Sequence, residues 1–329
     1  MKKRVFLLAI LMTFAVSTAA FSAARVKVIF ETDMGNDIDD ALALDMLYKY
    51  ALADRAEILA VMLNNPLPES IEFVDIMNTW YGFPDIPIGR IENGPAFRSK
   101  REYVHSVVAD KSYVRSRSDY DALPLAVELY RKLLAGSRDR SVVIISVGFS
   151  TNLAALLQTA ADEYSPLDGR ELFARKVKAV YVMGGEFTDA QVSEFNIKYD
   201  IASAQTFFAE CPVDMVFSGG AVGAAICYPA TSIMEDFDCK RHPLAVAYKS
   251  YMEMPYDRPT WDLTSVLAAV EGDDAGWFDY SAPGHVVVAD NGQTCFVPCR
   301  CGRHRLMSVP ENGADRIRDR FVQLIGKTH

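Results

Sequence analysis

The feature that most restricts how this chain can fold is its alternation of short, wholly apolar runs with longer amphipathic stretches. Val26–Phe30 reads as a strand buried on both faces, and a helix is expected from about Asp39 to Leu52. The pattern repeats with strands at Ile58–Leu63, Ile86–Gly89, Val142–Val147, Val177–Met183 and Val213–Phe217. Between them, helices are expected at Glu69–Trp80, Leu123–Leu134 and from Asn152 to Thr159. Strands without a polar face, separated by helices, fit a mostly parallel central sheet flanked by helices. The expected fold class is therefore α/β, an open, Rossmann-like sheet.

Toward the end of the chain the pattern changes. His285–Ala289 and Thr294–Val297, with Asp290-Asn291-Gly292 between them, read as a C-terminal β-hairpin, and a last helix is expected over Ala314–Ile325. The stretch 220–280 reads as helical embellishment. No repeat, low-complexity tract or linker divides 25–329, so one domain is expected there.

The first 24 residues stand apart. Lys2, Lys3 and Arg4 precede the apolar run Val5–Val16 and the small-residue stretch Ser17–Ala24, the layout of a secretory signal peptide. A periplasmic or secreted protein is expected, with no membrane attachment after cleavage. The whole chain carries 34 bases against 43 acids; without the leader 31 bases remain, a net charge of −12. An acidic excess of this kind argues against a nucleic-acid polymer as partner. The six cysteines, Cys211, Cys227, Cys239, Cys295, Cys299 and Cys301, allow buried thiols or one or two bridges. Cys295-x3-Cys299-x-Cys301 lacks the second ligand pair that zinc-finger spacing would supply.

In open α/β sheets, ligands bind beyond the carboxyl ends of the strands. The first such end reads Glu31-Thr32-Asp33-Met34-Gly35-Asn36-Asp37-Ile38-Asp39-Asp40-Ala41, with five acids in ten residues. A helix cap and first-turn acids account for one or two of these. Packing all five together calls for a counter-charge, and oxygen donors select a hard cation such as Ca²⁺ or Mg²⁺. EF-hand spacing fails, and the Asp-x-Asp-x-Thr of haloacid-dehalogenase-type phosphate transfer is not met.

The stretch resembles the Asp-Thr-Asp-Pro-Gly-x-Asp-Asp-Ala signature of the inosine/uridine-preferring nucleoside hydrolases. It keeps Thr32, Asp33, Gly35, Asp39, Asp40 and Ala41, with Met34 for Pro and a two-residue insertion that brings in Asp37. Val147-Gly148-Phe149-Ser150-Thr151-Asn152-Leu153 is similar to the family's Gly-Pro-Leu-Thr-Asn-Leu segment. Val182-Met183-Gly184-Gly185 and Glu194-Phe195-Asn196 resemble its Met-Gly-Gly and Glu-Phe-Asn motifs. Asp262, in Arg258-Pro259-Thr260-Trp261-Asp262, falls where the family has its late metal-binding Asp. The motifs occur in the family's order.

The resemblance implies Ca²⁺-dependent hydrolysis of the N-glycosidic bond of a nucleoside or related ribosyl compound. It implies Asp33, Asp40, Asp262 and the backbone carbonyl of Thr151 as metal ligands, with Asp37 a further candidate. Asp33 would also take the proton from the attacking water. Asp39, Asn65, Met183, Glu194 and Asn196 would hold the substrate, with Trp261 a candidate wall and Asn64 a rival to Asn65. Homo-oligomers are common among relatives. The chain departs from the family at Trp261, where many members have a His that protonates the leaving base. His105, His242, His285 and His304 sit outside any motif. Two other readings remain at this level: a periplasmic sugar- or nucleoside-binding protein with a retained metal pocket, and an O-glycoside hydrolase with paired carboxylates.

Overall fold

The computed structural model describes residues 25–95, 97, 103–190 and 192–326; the leader expected at 1–24 lies outside these residues. Twelve strands are described. They are β1 (Val26–Thr32), β2 (Ala56–Leu63), β3 (Ile88–Gly89), β4 (Val142–Ser146), β5 (Val177–Met183) and β6 (Met215–Ser218). They continue with β7 (Cys227–Tyr228), β8 (Arg258–Pro259), β9 (Asp279–Tyr280), β10 (Gly284–Val288), β11 (Thr294–Pro298) and β12 (His304–Ser308). A ten-stranded sheet runs β11-β10-β12-β6-β5-β4-β1-β2-β3, with β9 also on β12, and β7 and β8 pair separately. From β3 through β12 every neighbouring pair is parallel. β9, β10 and β11 join antiparallel.

The first described strand, β1, lies in the middle of this sheet, and from it the chain continues on both sides. It moves outward through β2 and β3, then crosses back to place β4, β5 and β6 on the other side of β1. The reversal between β1 and β4 is the crevice where such sheets hold ligands. Period-two geometry explains the layers on either side. Val28 and Phe30 pack into one apolar cluster, with the helices Asp39–Leu52, Pro68–Trp80, Trp261–Glu271 and Ala314–Ile325. Ile29, between them, belongs to the opposite cluster, with Ala126–Gly136, Thr151–Leu157 and Ile201–Glu210. The Asp39–Leu52 helix is buried from Asp39 to Tyr50 because the Trp261–Glu271 and Ala314–Ile325 helices cover its outer side.

The sheet is wider than the sequence suggests. β12 slots in parallel beside β6, and the expected hairpin attaches to β12. Its sequence, His-Arg-Leu-Met-Ser, is half polar and only His304 and Met307 are buried, so no apolar run announces it. Among the described residues, no helix is long and apolar enough to cross a membrane. Cys299 and Cys301 form a disulfide, Cys211 is a buried thiol, and Cys227, Cys239 and Cys295 are free.

Candidate active site

β1 and β4 run side by side, Lys27–Glu31 against Val142–Ser146, so their exits open into the same crevice. After β1 the backbone turns back on itself. The Met34 N–H donates to Thr32 Oγ1 at 3.0 Å, and the Thr32 hydroxyl donates to the Asp40 carboxylate. Gly35 takes φ +103°, a left-handed conformation that suits glycine, and its N–H donates to the Tyr103 hydroxyl at 2.8 Å. The turn thus brings Asp33 and Asp40 together at the mouth of the Asp39–Leu52 helix. Gly148 lets the β4 exit lie against it, since a Cβ there would stand 2.5 Å from the Asp33 nitrogen.

Asp39 and Asp40 open their helix, where acids suit the dipole. The cap position is Ile38, so Asp39 is not the helix cap. Asp262 arrives from the start of the Trp261–Glu271 helix and donates its backbone N–H to Asp39 Oδ2 at 3.1 Å. Carboxylate oxygens of Asp39, Asp40 and Asp262 lie within 4.8 Å of one another. Asp33 lines the same cavity, and its Oδ2 is buried with no hydrogen-bond partner. Burial, reinforced by neighbouring carboxylates, pushes the carboxyls of Asp33, Asp39, Asp40 and Asp262 well above the usual carboxylate range. Such a cluster holds its negative form only against a counter-charge. An all-oxygen donor set with an unsatisfied buried oxygen fits a hard divalent cation.

Three of the implied site residues have surroundings that the motifs alone do not announce. Asp39, expected on the sugar side, sits with Asp40 and Asp262 in the carboxylate cluster. Asp37 lines the cavity but is held by Arg258, whose Nε donates to it at 2.9 Å and whose Nη2 donates to its other oxygen. The Arg258 guanidinium in turn lies over the Tyr251 and Trp261 rings, 5.1 and 5.0 Å from their centroids. Thr151 is the first residue of its helix, bonds through its hydroxyl to Asp200 and lines a separate cleft. The residue of the β4 exit that faces the cavity is Val147, the first beyond the strand. Its N–H donates to the Glu31 carbonyl at 2.8 Å, and its own carbonyl accepts from Asn196 Nδ2 at 3.0 Å.

On the opposite wall, Met183, Glu194, Asn196 and Trp261 all line the cavity. Glu194 caps the short Phe195–Lys198 helix, accepting from the N–H groups of Asn196 at 3.0 Å, Gly185 at 3.2 Å and Ile197 at 3.3 Å. Asn196 also donates to Met183 Sδ at 3.2 Å. The Trp261 indole donates to the Gly220 carbonyl at 2.9 Å. Asn65 does not line the cavity; its amide pairs with the Phe97 backbone, donating to the carbonyl at 2.9 Å. Asn64 lies beneath, donating to Glu31 at 3.1 Å. Glu31 is buried among Tyr130, Asn152 and Asn64, and burial lifts its carboxyl to about 7 against those hydrogen bonds.

The cavity holds about 300 Å³, and Asn36, Val147, Phe195 and Gly220 complete its lining. Asn36, Val147 and Phe195 lie inside the motifs, so adjacency was the signal for them, whereas Gly220 belongs to none of the motifs. No histidine lines the cavity among the described residues. His105 is exposed, His242 packs on Trp80 and Phe237, and His285 and His304 belong to β10 and β12.

The sequence model of the family described as inosine-uridine preferring nucleoside hydrolase matches residues 28–297. None of the curated proteins matches the chain. Among solved structures, a plant nucleoside hydrolase is 20% identical and superposes with a TM-score of 0.68, over 92% of this chain and 98% of its own. The inosine-uridine preferring nucleoside hydrolase from Bacillus anthracis is 17% identical, with a TM-score of 0.71 over 92% and 99% of the two chains. The purine-preferring ribonucleoside hydrolase from Gardnerella vaginalis is 17% identical, with a TM-score of 0.70 over 92% and 98%. At these identities the likeness is one of fold.

Proposed function

Because the chain belongs to the inosine-uridine preferring nucleoside hydrolase family, a family of N-ribohydrolases, we propose that it cleaves the N-glycosidic bond of ribonucleosides with the aid of Ca²⁺. One observation carries the reading. Carboxylates from positions 33, 39, 40 and 262 converge on one cavity at the sheet's crevice, and one buried oxygen among them lacks a partner. Asp33, Asp39, Asp40 and Asp262 would hold the ion, with the Val147 carbonyl in the place the sequence assigned to Thr151. When bound, such an ion acidifies water and grips sugar oxygens.

The chain's own groups do the rest. Asp33, through its partnerless Oδ2, accepts the proton as a water oxygen bonds to the anomeric carbon. The C–N bonding electrons leave with the base through an oxocarbenium-like state, and no enzyme nucleophile is required. Glu194, fixed by three N–H groups, and Asn196 hold the sugar hydroxyls, so the ring enters the reaction already oriented. Phe195 and Trp261 offer flat faces to the base.

Residues 25–329 act in this reading as one nucleoside hydrolase-like domain, supported by the continuous sheet from β1 to β12. The leader at 1–24 supports export to the periplasm or beyond. The test is a panel of ribonucleosides given to the purified protein with and without EDTA. Ribose release that chelation abolishes and Ca²⁺ restores is the expected result. Tight nucleoside binding with no ribose released in any condition would overturn it.

A further inference from the structure

We propose that His285, Cys299 and Cys301 form a second site, for a thiophilic divalent cation such as Zn²⁺, that opens when the Cys299–Cys301 disulfide is reduced. In space the Cys-x-Cys gains one further ligand that the chain spacing does not show. One ligand atom from each of the three residues lies within 4.8 Å of the others, and His285 comes from β10 rather than from the cysteine turn.

The backbone fixes this arrangement. The Cys299 N–H donates to the Pro283 carbonyl at 3.0 Å, and the Gly302 N–H closes the turn onto the Cys299 carbonyl at 2.9 Å. Gly302 and Gly284 pack backbone to backbone, and a Cβ on Gly302 would overlap Gly284. No other residue type lets the turn come so near the start of β10, which carries His285 at its second position. The Cys301 N–H donates to Cys299 Sγ at 3.3 Å, holding the two residues of the turn together.

Stapling is a poor account of this disulfide. A bridge between residues two apart closes too short a loop to constrain the unfolded chain much, and it joins no two elements. Thiolate and imidazole donors select softer cations than the acidic cavity does. His285 and Cys301 are exposed and Cys299 is half-buried, so a fourth coordination position opens to solvent.

The redox step balances with a phosphine reductant. The S–S bond breaks, the phosphorus is oxidised to a phosphine oxide with oxygen from water, and that water's two hydrogens end on the two thiols. Binding of the cation then releases both thiol protons to solvent. Disulfide and bound cation are mutually exclusive states of the same two sulfurs.

The test uses the full chain in excess Ca²⁺, which occupies the acidic cavity, with Co²⁺ as the probe. After phosphine reduction, thiolate-to-cobalt charge-transfer absorption is expected to saturate at an equimolar ratio; the oxidised chain shows none. Cys299→Ser and Cys301→Ser abolish the band, Cys295→Ser leaves it, and His285→Ala weakens Co²⁺ binding by roughly tenfold or more. The site is refuted by a missing band once thiol counting confirms reduction, by a band that persists in either cysteine variant, or by unchanged affinity in His285→Ala. Far-UV circular dichroism and cooperative thermal melting of the same variants report that they are folded. Failure of nucleoside cleavage would leave the cobalt result untouched, so the two readings fail separately.

Discussion

The backbone N–H of Asp262 donates to Asp39 Oδ2 at 3.1 Å, joining the starts of two helices 223 positions apart in sequence. One helix is thereby oriented by the carboxylate that opens the other, and the three-carboxylate cluster exists only when both are docked. Folding and metal binding are therefore linked. Ca²⁺ at about a hundred times its Kd should stabilise the protein by about 2.7 kcal/mol and raise Tm by several degrees. Asp262→Asn should lose most of that increment while its melting without metal changes little. Calorimetric scans with Ca²⁺ and with EDTA check both.

Asp33 combines complete burial with an unpartnered oxygen facing the cavity. Its replacement by Asn keeps the shape and removes the proton acceptor. Asp33→Asn should lower kcat by about 10²- to 10⁴-fold, the range for loss of a general base. Steady-state kinetics at saturating Ca²⁺ separate this from weakened metal binding, and a kcat within a factor of two of the parent would exclude Asp33 as the base.

Arg258 spends its charge on Asp37 at the cavity mouth. Arg258→Met leaves that carboxylate beside Asp39 and Asp33 with no cationic partner. The metal-free protein should lose roughly 1–3 kcal/mol of stability. Ca²⁺ should bind more tightly, because the added negative charge attracts it. Urea unfolding with EDTA and calcium titration by calorimetry give the two numbers; a weaker Ca²⁺ affinity would show that Arg258 supports the cluster instead.

His304 supplies a pH dependence independent of the cavity. Burial, with His285 adding to it, pushes its imidazole down from 6.5 to about 4, and its Nδ1 accepts from the Val286 N–H at 2.8 Å. The folded chain therefore keeps this ring neutral where the unfolded chain protonates it. Stability is complete above about pH 6.5 and declines as pH falls toward 4, by roughly 3 kcal/mol at most. His304→Gln, which can still accept from Val286, should flatten that slope in urea titrations between pH 7 and pH 4.5.

Much of the frame is legible in the sequence because the buried strands carry no polar face. The expected helix at Asp39–Leu52 and the strand at Val177–Met183 have the observed bounds. β12 was hidden because a strand shielded by neighbours on an otherwise parallel sheet can be short and half polar. The site's residues were legible as a set and less so in their roles. The insertion that brings in Asp37 makes spacing alone ambiguous, and only the distant Arg258 shows which acid is drawn aside. Thr151 and Val147 separate for a simple reason. The helix begins at Thr151, so the loop position facing the crevice belongs to Val147, four residues earlier.

The β10–β11 hairpin reaches further than its place at the end of the sheet suggests. Thr294 Oγ1 accepts from the Glu186 N–H and donates to the Glu186 carbonyl, both at 2.8 Å, and Ser193 donates to the Gly292 carbonyl at 2.9 Å. The loop that delivers Glu194 is thus clamped at both ends by a turn a hundred residues downstream. A substitution at Thr294 that removes its hydroxyl would therefore loosen the loop leading to Glu194 without touching the cavity wall itself. The position of Glu194 is thus set in part by residues far outside the motif that contains it.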